Sequence, residues 1–371
     1  MNFTESQRKR YLMAIALLIL AIVLACAWSL WRTRPRAEIT PETTAAPEPA
    51  LTAAPTRQPD EAASAGVEPA QEEKKAKTVS TIVYYQDNDG YLVPVMCNVP
   101  LEDGIAKATL NRMVRNPGND MQAARLGLRT ILPEGTTIDL DIDDGLARID
   151  LSKEVLSLPD AAAEAGMIDA IVRTLTEFDT VREVEFLIGG QKLEKLPHGT
   201  DVSGKFTRGD INPESAEGVM SVVDAKPVTL YFPSETGTVV VPVTRMVYST
   251  PDVNTAVLEL TKGPCDSSAL ESALPAGCGL IDVKVENGVA KLNFTKELAE
   301  LALNSDGGRM ALKALVLTCT QFDGINSVEL YVEGEAFDPG AGTLSVPTFM
   351  NVADTIVYDS IQTQSAMILD D

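Results

Sequence analysis

The chain copies itself once, with an offset of about 145 residues. Whatever it folds into must therefore be built twice from one set of elements. Tyr84-Tyr85 followed by Val93-Pro94-Val95 matches Tyr231-Phe232 followed by Val241-Pro242-Val243. Leu132-Pro133-Glu134-Gly135 matches Leu274-Pro275-Ala276-Gly277, and the ten residues from Gly145 to Glu154 match those from Gly288 to Glu297. Thr174-x-Thr176-x-Phe178-Asp179 matches Thr318-x-Thr320-x-Phe322-Asp323, and Val184-Glu185 and Gly190 match Val328-Glu329 and Gly334. The order is colinear throughout.

Each copy reads as the same string of elements. A hairpin leads, Ile82–Tyr85 with Tyr91–Met96 and Val228–Phe232 with Val239–Val243. A helix follows. Its apolar positions in copy two are Val253, Ala256, Val257 and Leu260, at helical spacing; copy one gives Ala106, Leu110, Met113 and Val114. Asn116-Pro117-Gly118 and Gly263-Pro264 read as helix stops. A second hairpin turns on Asp144-Gly145 or Asn287-Gly288, dipeptides suited to type I′ turns. A second helix carries Ile168, Ile171, Val172 and Leu175, or Leu312, Leu315, Val316 and Cys319. A closing strand alternates Val184, Phe186, Ile188, or Val328, Leu330, Val332. The expected fold is α+β: two tandem small domains, each a leading β-hairpin and then αββαβ, with two helices on one face of a sheet.

Ahead of the repeats, Arg8-Lys9-Arg10 precedes an apolar run from Tyr11 to Trp31, broken only by Ser29. That is about the length a helix needs to cross a bilayer. Trp28 and Trp31 fall where an aromatic belt forms, and arginines follow. Two readings stand: an uncleaved N-terminal membrane helix, or a lipoprotein signal in which Val23-Leu24-Ala25-Cys26 resembles a lipobox and Cys26 takes the lipid. Either holds the bulk of the chain outside the cytoplasm at the cell membrane. The expected divisions are residues 1–36 as anchor with a short cytoplasmic head, 37–79 as a disordered Pro/Ala/Thr/Glu-rich linker, 80–200 as domain 1, 201–226 as linker, 227–340 as domain 2, and 341–371 as a tail packing on domain 2. Once the anchor region is set aside, 52 acids face 25 bases. So acidic a surface repels phosphate backbones and argues against nucleic acid as a partner.

At Leu230–Phe232, Gly263-Pro264, Leu274–Gly277, Asn287-Gly288-Val289-Ala290 and the Thr-x-Thr-x-Phe helix end, the sequence resembles the GerM-domain family. Copy two matches well and copy one is more divergent; together they cover about residues 80–340. The resemblance implies an extracytoplasmic protein of spore-forming bacteria linked to sporulation and germination. It also implies a core like that of ring-building modules in secretion-type assemblies. Copy one departs from the pattern, with Cys97 where copy two has Arg245 and Asn116-Pro117 where copy two has Gly263-Pro264.

The chemistry-bearing residues do not converge on an active site. Asp139, Asp141, Asp143 and Asp144 look like the start of a calcium loop, but Leu140 and Ile142 alternate with them, the mark of a strand with a wet face. Gly199–Lys205 mimics a P-loop but continues into Phe206 and lacks a helix pattern. Arg208-Gly209-Asp210 matches an integrin-type tripeptide by chance. His198, the single histidine, sits in a polar stretch with no nucleophile nearby in sequence, and Glu185 and Glu329 recur on strands. Neither catalytic, metal nor cofactor-binding residues are assigned. Cys319 replaces Leu175 on a core stripe, while Cys265 and Cys278 flank one connector and are candidates for a disulfide. The expected function is a non-catalytic scaffold. Its expected partners are envelope or sporulation proteins, or further copies of itself in lateral or ring-type assembly. The alternative is a cell-wall module that binds or hydrolyses peptidoglycan, with Tyr84, Tyr85, Tyr91, Tyr231 and Phe232 as its aromatic candidates.

Overall fold

The computed structural model describes residues 78–353, except 102–103, 215–223, 266–267, 302–304, 341–342 and 347–349. The Tyr11–Trp31 span, Cys26 and the linker before residue 78 lie outside the described residues. Among the described residues no helix is long and apolar enough to cross a membrane.

Copy one opens with an antiparallel hairpin of β1 (Thr78–Gln86) and β2 (Leu92–Pro100). Helices α1 (Ile105–Asn111) and α2 (Pro117–Ala124) follow. Next come β3 (Ile138–Asp143), β4 (Leu146–Leu151), a short 3-10 turn (Lys153–Ser157), α3 (Ala161–Leu175), β5 (Glu183–Ile188) and β6 (Lys205–Phe206). Copy two repeats the plan with β7 (Lys226–Pro233), β8 (Val240–Val247), α4 (Val253–Thr261), β9 (Leu280–Glu286), β10 (Val289–Phe294), a second 3-10 turn (Lys296–Glu300), α5 (Asp306–Thr320), β11 (Ser327–Val332), β12 (Glu335–Phe337) and β13 (Leu344–Ser345).

The sheets run β3-β4-β5-β6 and β9-β10-β11-β12. Within each, the first pair is antiparallel and the second parallel, so the long helix is the crossover between parallel strands. Asp144-Gly145 and Asn287-Gly288 take positive φ, 45° and 82° in the first and 52° and 81° in the second, as a type I′ turn requires. The long helices lie between two β layers: α3 touches β1 and β5, and α5 touches β7 and β11. The alternating residues Val184, Phe186 and Ile188 point to this middle layer and are almost wholly buried.

Asn116-Pro117-Gly118 starts a helix rather than ending one. Asn116 is the N-cap of α2, its side chain accepting from the amides of Gly118 and Asn119, and proline stands at the first turn, where its missing N–H costs nothing. Of the segment 341–371, Leu344–Ser345 pairs with β11 of copy two, whereas residues 351–353 run beside β2 of copy one.

Candidate functional site

The polar groups of the molecule gather where the two hairpins meet. The Thr-x-Thr-x-Phe helix ends set each hairpin on its own helix. Thr174 Oγ1 accepts from the Tyr84 amide at 3.2 Å, and Thr318 Oγ1 accepts from the Tyr231 amide at 3.2 Å. Both threonines are fully buried. The second threonine of each motif, Thr176 or Thr320, bonds back to the carbonyl four residues earlier.

After each copy the chain crosses to the other copy's hairpin. Asn212, behind copy one, accepts from the Leu92 amide at 2.9 Å and donates to the carbonyls of Leu92 at 2.8 Å and Pro242 at 2.7 Å. Asn351, behind copy two, accepts from the Val240 amide at 3.0 Å and donates to the carbonyls of Val240 at 2.8 Å and Pro94 at 3.1 Å. The two forks are related by the repeat itself. The main chain follows suit: the Glu214 amide donates to Thr244 O in copy two and the Ala353 amide to Met96 O in copy one. Each copy thus lends a short strand to the other.

Against the first of these straps lies a cleft of about 380 Å³, lined in part by Tyr84, Arg173, Arg208, Tyr231 and Gln321. Arg208 donates to Tyr84 Oη and pairs with Glu177 at 2.6 Å, while Tyr84 Oη donates to the same carboxylate at 2.8 Å. Arg173 is 2% exposed; it pairs with Asp169 at 2.8 Å and donates to the carbonyls of Gly209 and Asp210. Burial, then the neighbouring Glu177, pushes the Tyr84 phenol well above its ordinary range. Burial pushes Tyr231 up to about 12. Both phenols are therefore neutral at ordinary pH, and that of Tyr84 serves as a hydrogen-bonding group.

A second cluster braces copy two. Arg245 grips Glu214 through two bonds of 2.6 and 2.9 Å, and donates to the carbonyls of Glu259 at 3.0 Å and Gly263 at 2.8 Å. Its guanidinium also lies 5.8 Å from the Phe232 ring centre. It ties the crossing strap to the end of α4, so it is an internal clamp. In copy one the same two positions hold Tyr85 and Cys97, whose Oη and Sγ are 3.8 Å apart.

The residues singled out from sequence are scattered. Asp139, Asp141 and Asp144 are exposed along β3 and its turn, each beside a different base: Lys107, Arg148 and Arg182. The Gly199–Lys205 loop leads into β6, not into a helix. His198 donates its amide to Glu164 and places Nε2 at 2.8 Å from Leu158 O. The Arg208–Asp210 tripeptide is exposed, and within it Arg208 reaches Glu177 while the Gly209 and Asp210 carbonyls accept from Arg173. Glu185 pairs with Arg148 and Lys192, and Glu329 accepts from Tyr331. Cys265 is half-buried and its amide donates to Glu214. Cys278 is a buried thiol, pushed up to about 11 by burial and then Glu297. Sequence reading missed Asn212, Asn351, Arg173, Glu214 and the role of Arg208. The one signal available was Arg173, a charge on an otherwise apolar helix stripe.

The fold and its seam define a class: paired α+β modules joined into one body by exchanged straps. A family model described as Germane, sporulation and spore germination, matches residues 82–194 and 229–338, which are the two copies. The chain belongs to this family. It is 29% identical over 281 residues to the spore germination protein GerM of Bacillus subtilis (strain 168), covering 72% of this chain and 75% of that one. A solved structure of the tandem GerMN domains of the sporulation protein GerM from Bacillus subtilis superposes with a TM-score of 0.61 at 28% identity, over 75% of this chain and 100% of that one.

Proposed function

We propose that this chain is a non-catalytic scaffold of bacterial sporulation or germination, held at the membrane by Tyr11–Trp31 and acting outside the cytoplasm through lateral protein contacts. Its kinship with a spore germination protein supports the process. The observation that carries the scaffold reading is the seam. Its arginines pair with Glu177 and Asp169 and donate to backbone carbonyls, and its tyrosines stay neutral, so these polar groups serve to hold the two modules together. Linked modules also raise the effective concentration of each at an assembling surface.

The wall-binding alternative needs exposed aromatics. Tyr84, Tyr85 and Phe232 are almost wholly buried, and Tyr91 and Tyr231 are half-buried against the core. A strain lacking the protein is expected to yield far fewer heat-resistant spores or spores that germinate poorly. The intact chain restores them, and a chain without residues 1–36 does not. Normal yield and normal germination would remove the sporulation role; full rescue by the truncated chain would remove the tether. Retention of residues 78–371 on purified peptidoglycan would favour the wall-binding reading instead.

A further inference from the structure

The two copies differ most at the outer edges of their sheets. Strands β3 and β9 are the corresponding edges, and no described strand pairs with the outer side of either. In copy one the edge is regular: Ile138 pairs with Leu151 and Asp139 with Asp150, and Ile138 is buried. In copy two the register skips a residue. Leu280 faces Phe294 and Asp282 faces Asn293, leaving Ile281 opposite nothing. This bulge turns Ile281 out to 49% exposure. Val285 on the same strand is 48% exposed, and Leu258, on the helix α4 that packs against β9, is exposed as well. The unpaired backbone N–H and C=O groups of such an edge are a template for another strand, and these exposed apolar side chains would gain cover from it.

The sequence of β9 says which strand. Glu286 and Val289 flank a two-residue turn and exchange both hydrogen bonds, so Lys284 and Asp282 also bond inward and Val283 and Val285 turn their backbone groups outward. An antiparallel partner must then meet those outward residues. For a second β9 three central registers satisfy this, with twofold axes at Asp282, Val283 or Lys284. The first opposes Asp282 to Asp282, and the third opposes Lys284 to Lys284 and Asp282 to Glu286. Only the axis at Val283 sets Asp282 against Lys284 twice, with Ile281 against Val285 and Val283 against itself. The same operation on β3 opposes aspartates, because Asp139, Asp141 and Asp143 alternate along it.

We propose that β9 is a homodimer surface: two copies of this chain join their second sheets edge to edge about a twofold axis at Val283. The proposal deepens the scaffold reading, on which it rests, by making the first lateral partner a second copy. A twofold contact closes on itself, so copy one's acidic edge remains outside the dimer. One strand pair buries little area, so the contact is weak in dilute solution and gains strength where chains are concentrated side by side.

The test uses the full chain in mild detergent. Chains carrying Asp282→Cys and chains carrying Lys284→Cys are mixed and oxidised, with the unsubstituted chain as background for the native cysteines. Opposed residues of a non-hydrogen-bonded pair stand about 4.5 Å apart, within disulfide reach, whereas Asp282 and its symmetry mate stand about 8 Å apart. The mixture is expected to give a disulfide-linked dimer well above either variant alone. No excess in the mixture overturns the proposal. Sedimentation of substituted chains gives a second readout free of new thiols. Asp282→Lys is expected to weaken self-association about tenfold, and adding Lys284→Asp to restore it. A double variant no better than the single overturns the twofold register. A missing cross-link beside a lasting spore defect in the deletion strain refutes this contact alone; a cross-link beside normal spores refutes the sporulation scaffold alone.

Discussion

Asn351 is the test of the exchanged straps. It is 2% exposed, and its amide makes three hydrogen bonds that join Val240 of copy two to Pro94 of copy one. Asn351→Ala leaves the Val240 amide and two carbonyls without partners in a closed site. At about 1 kcal/mol for each bond, the cost is about 3 kcal/mol. Asn212→Ala removes the equivalent three bonds and costs more. Asn212 sits at φ 43°, in the left-handed region that asparagine tolerates and alanine does not. The assay is urea unfolding of residues 78–371, read by far-UV circular dichroism and by tyrosine fluorescence, since both tryptophans, Trp28 and Trp31, lie outside that fragment. Asn351→Asp adds a check on mechanism. Its carboxylate faces two carbonyls, so burial and repulsion hold its folded pKa above the usual value near 3.9. The protonated form is the one the fold prefers. The variant's deficit is therefore large at pH 7 and shrinks as the pH falls towards the ordinary aspartate range. Losses below about 0.5 kcal/mol for both alanine variants, the size of an ordinary surface change, would refute the claim that the straps hold the copies together.

Arg245→Met leaves Glu214, 9% exposed, without its cation, while Glu259 keeps Lys262; the expected loss is about 3 kcal/mol in the same urea assay. Tyr85→Phe copies what Phe232 does in copy two. Burial, then Cys97, raises the Tyr85 phenol far above its ordinary value of 10.0, so the fold prefers the neutral ring. That contribution is present below pH 10 and is lost as the pH rises beyond it. The variant is expected to leave stability at pH 7 nearly unchanged and to flatten the alkaline limb of a stability–pH profile; an unchanged limb would contradict the assignment.

The repeat made the element string legible because it reports twice on each strand and helix. Turns that need positive φ announced themselves as Asp-Gly and Asn-Gly, and the helix stripes fell where the core lies. The straps carried no such mark. Asn212 and Asn351 sit in short non-periodic segments, and their partners lie 120 and 257 residues away for Leu92 and Pro94. Local pattern has no reach over such distances. Asn116-Pro117-Gly118 misled because proline at a first turn and proline after a last turn look alike until the cap is seen. Arg208 was set aside as part of a chance tripeptide because sequence does not show that it reaches Glu177 and Tyr84.

The long reach of Asn351 also fixes an order of events. Copy one is made first, yet among the described residues the outer side of its β2 strand at Met96 is paired only by residues 351–353. A chain emerging from its amino terminus therefore carries an unfinished first module for as long as the second is being made. Until then the strand edge at Met96 is open to whatever strand is nearest.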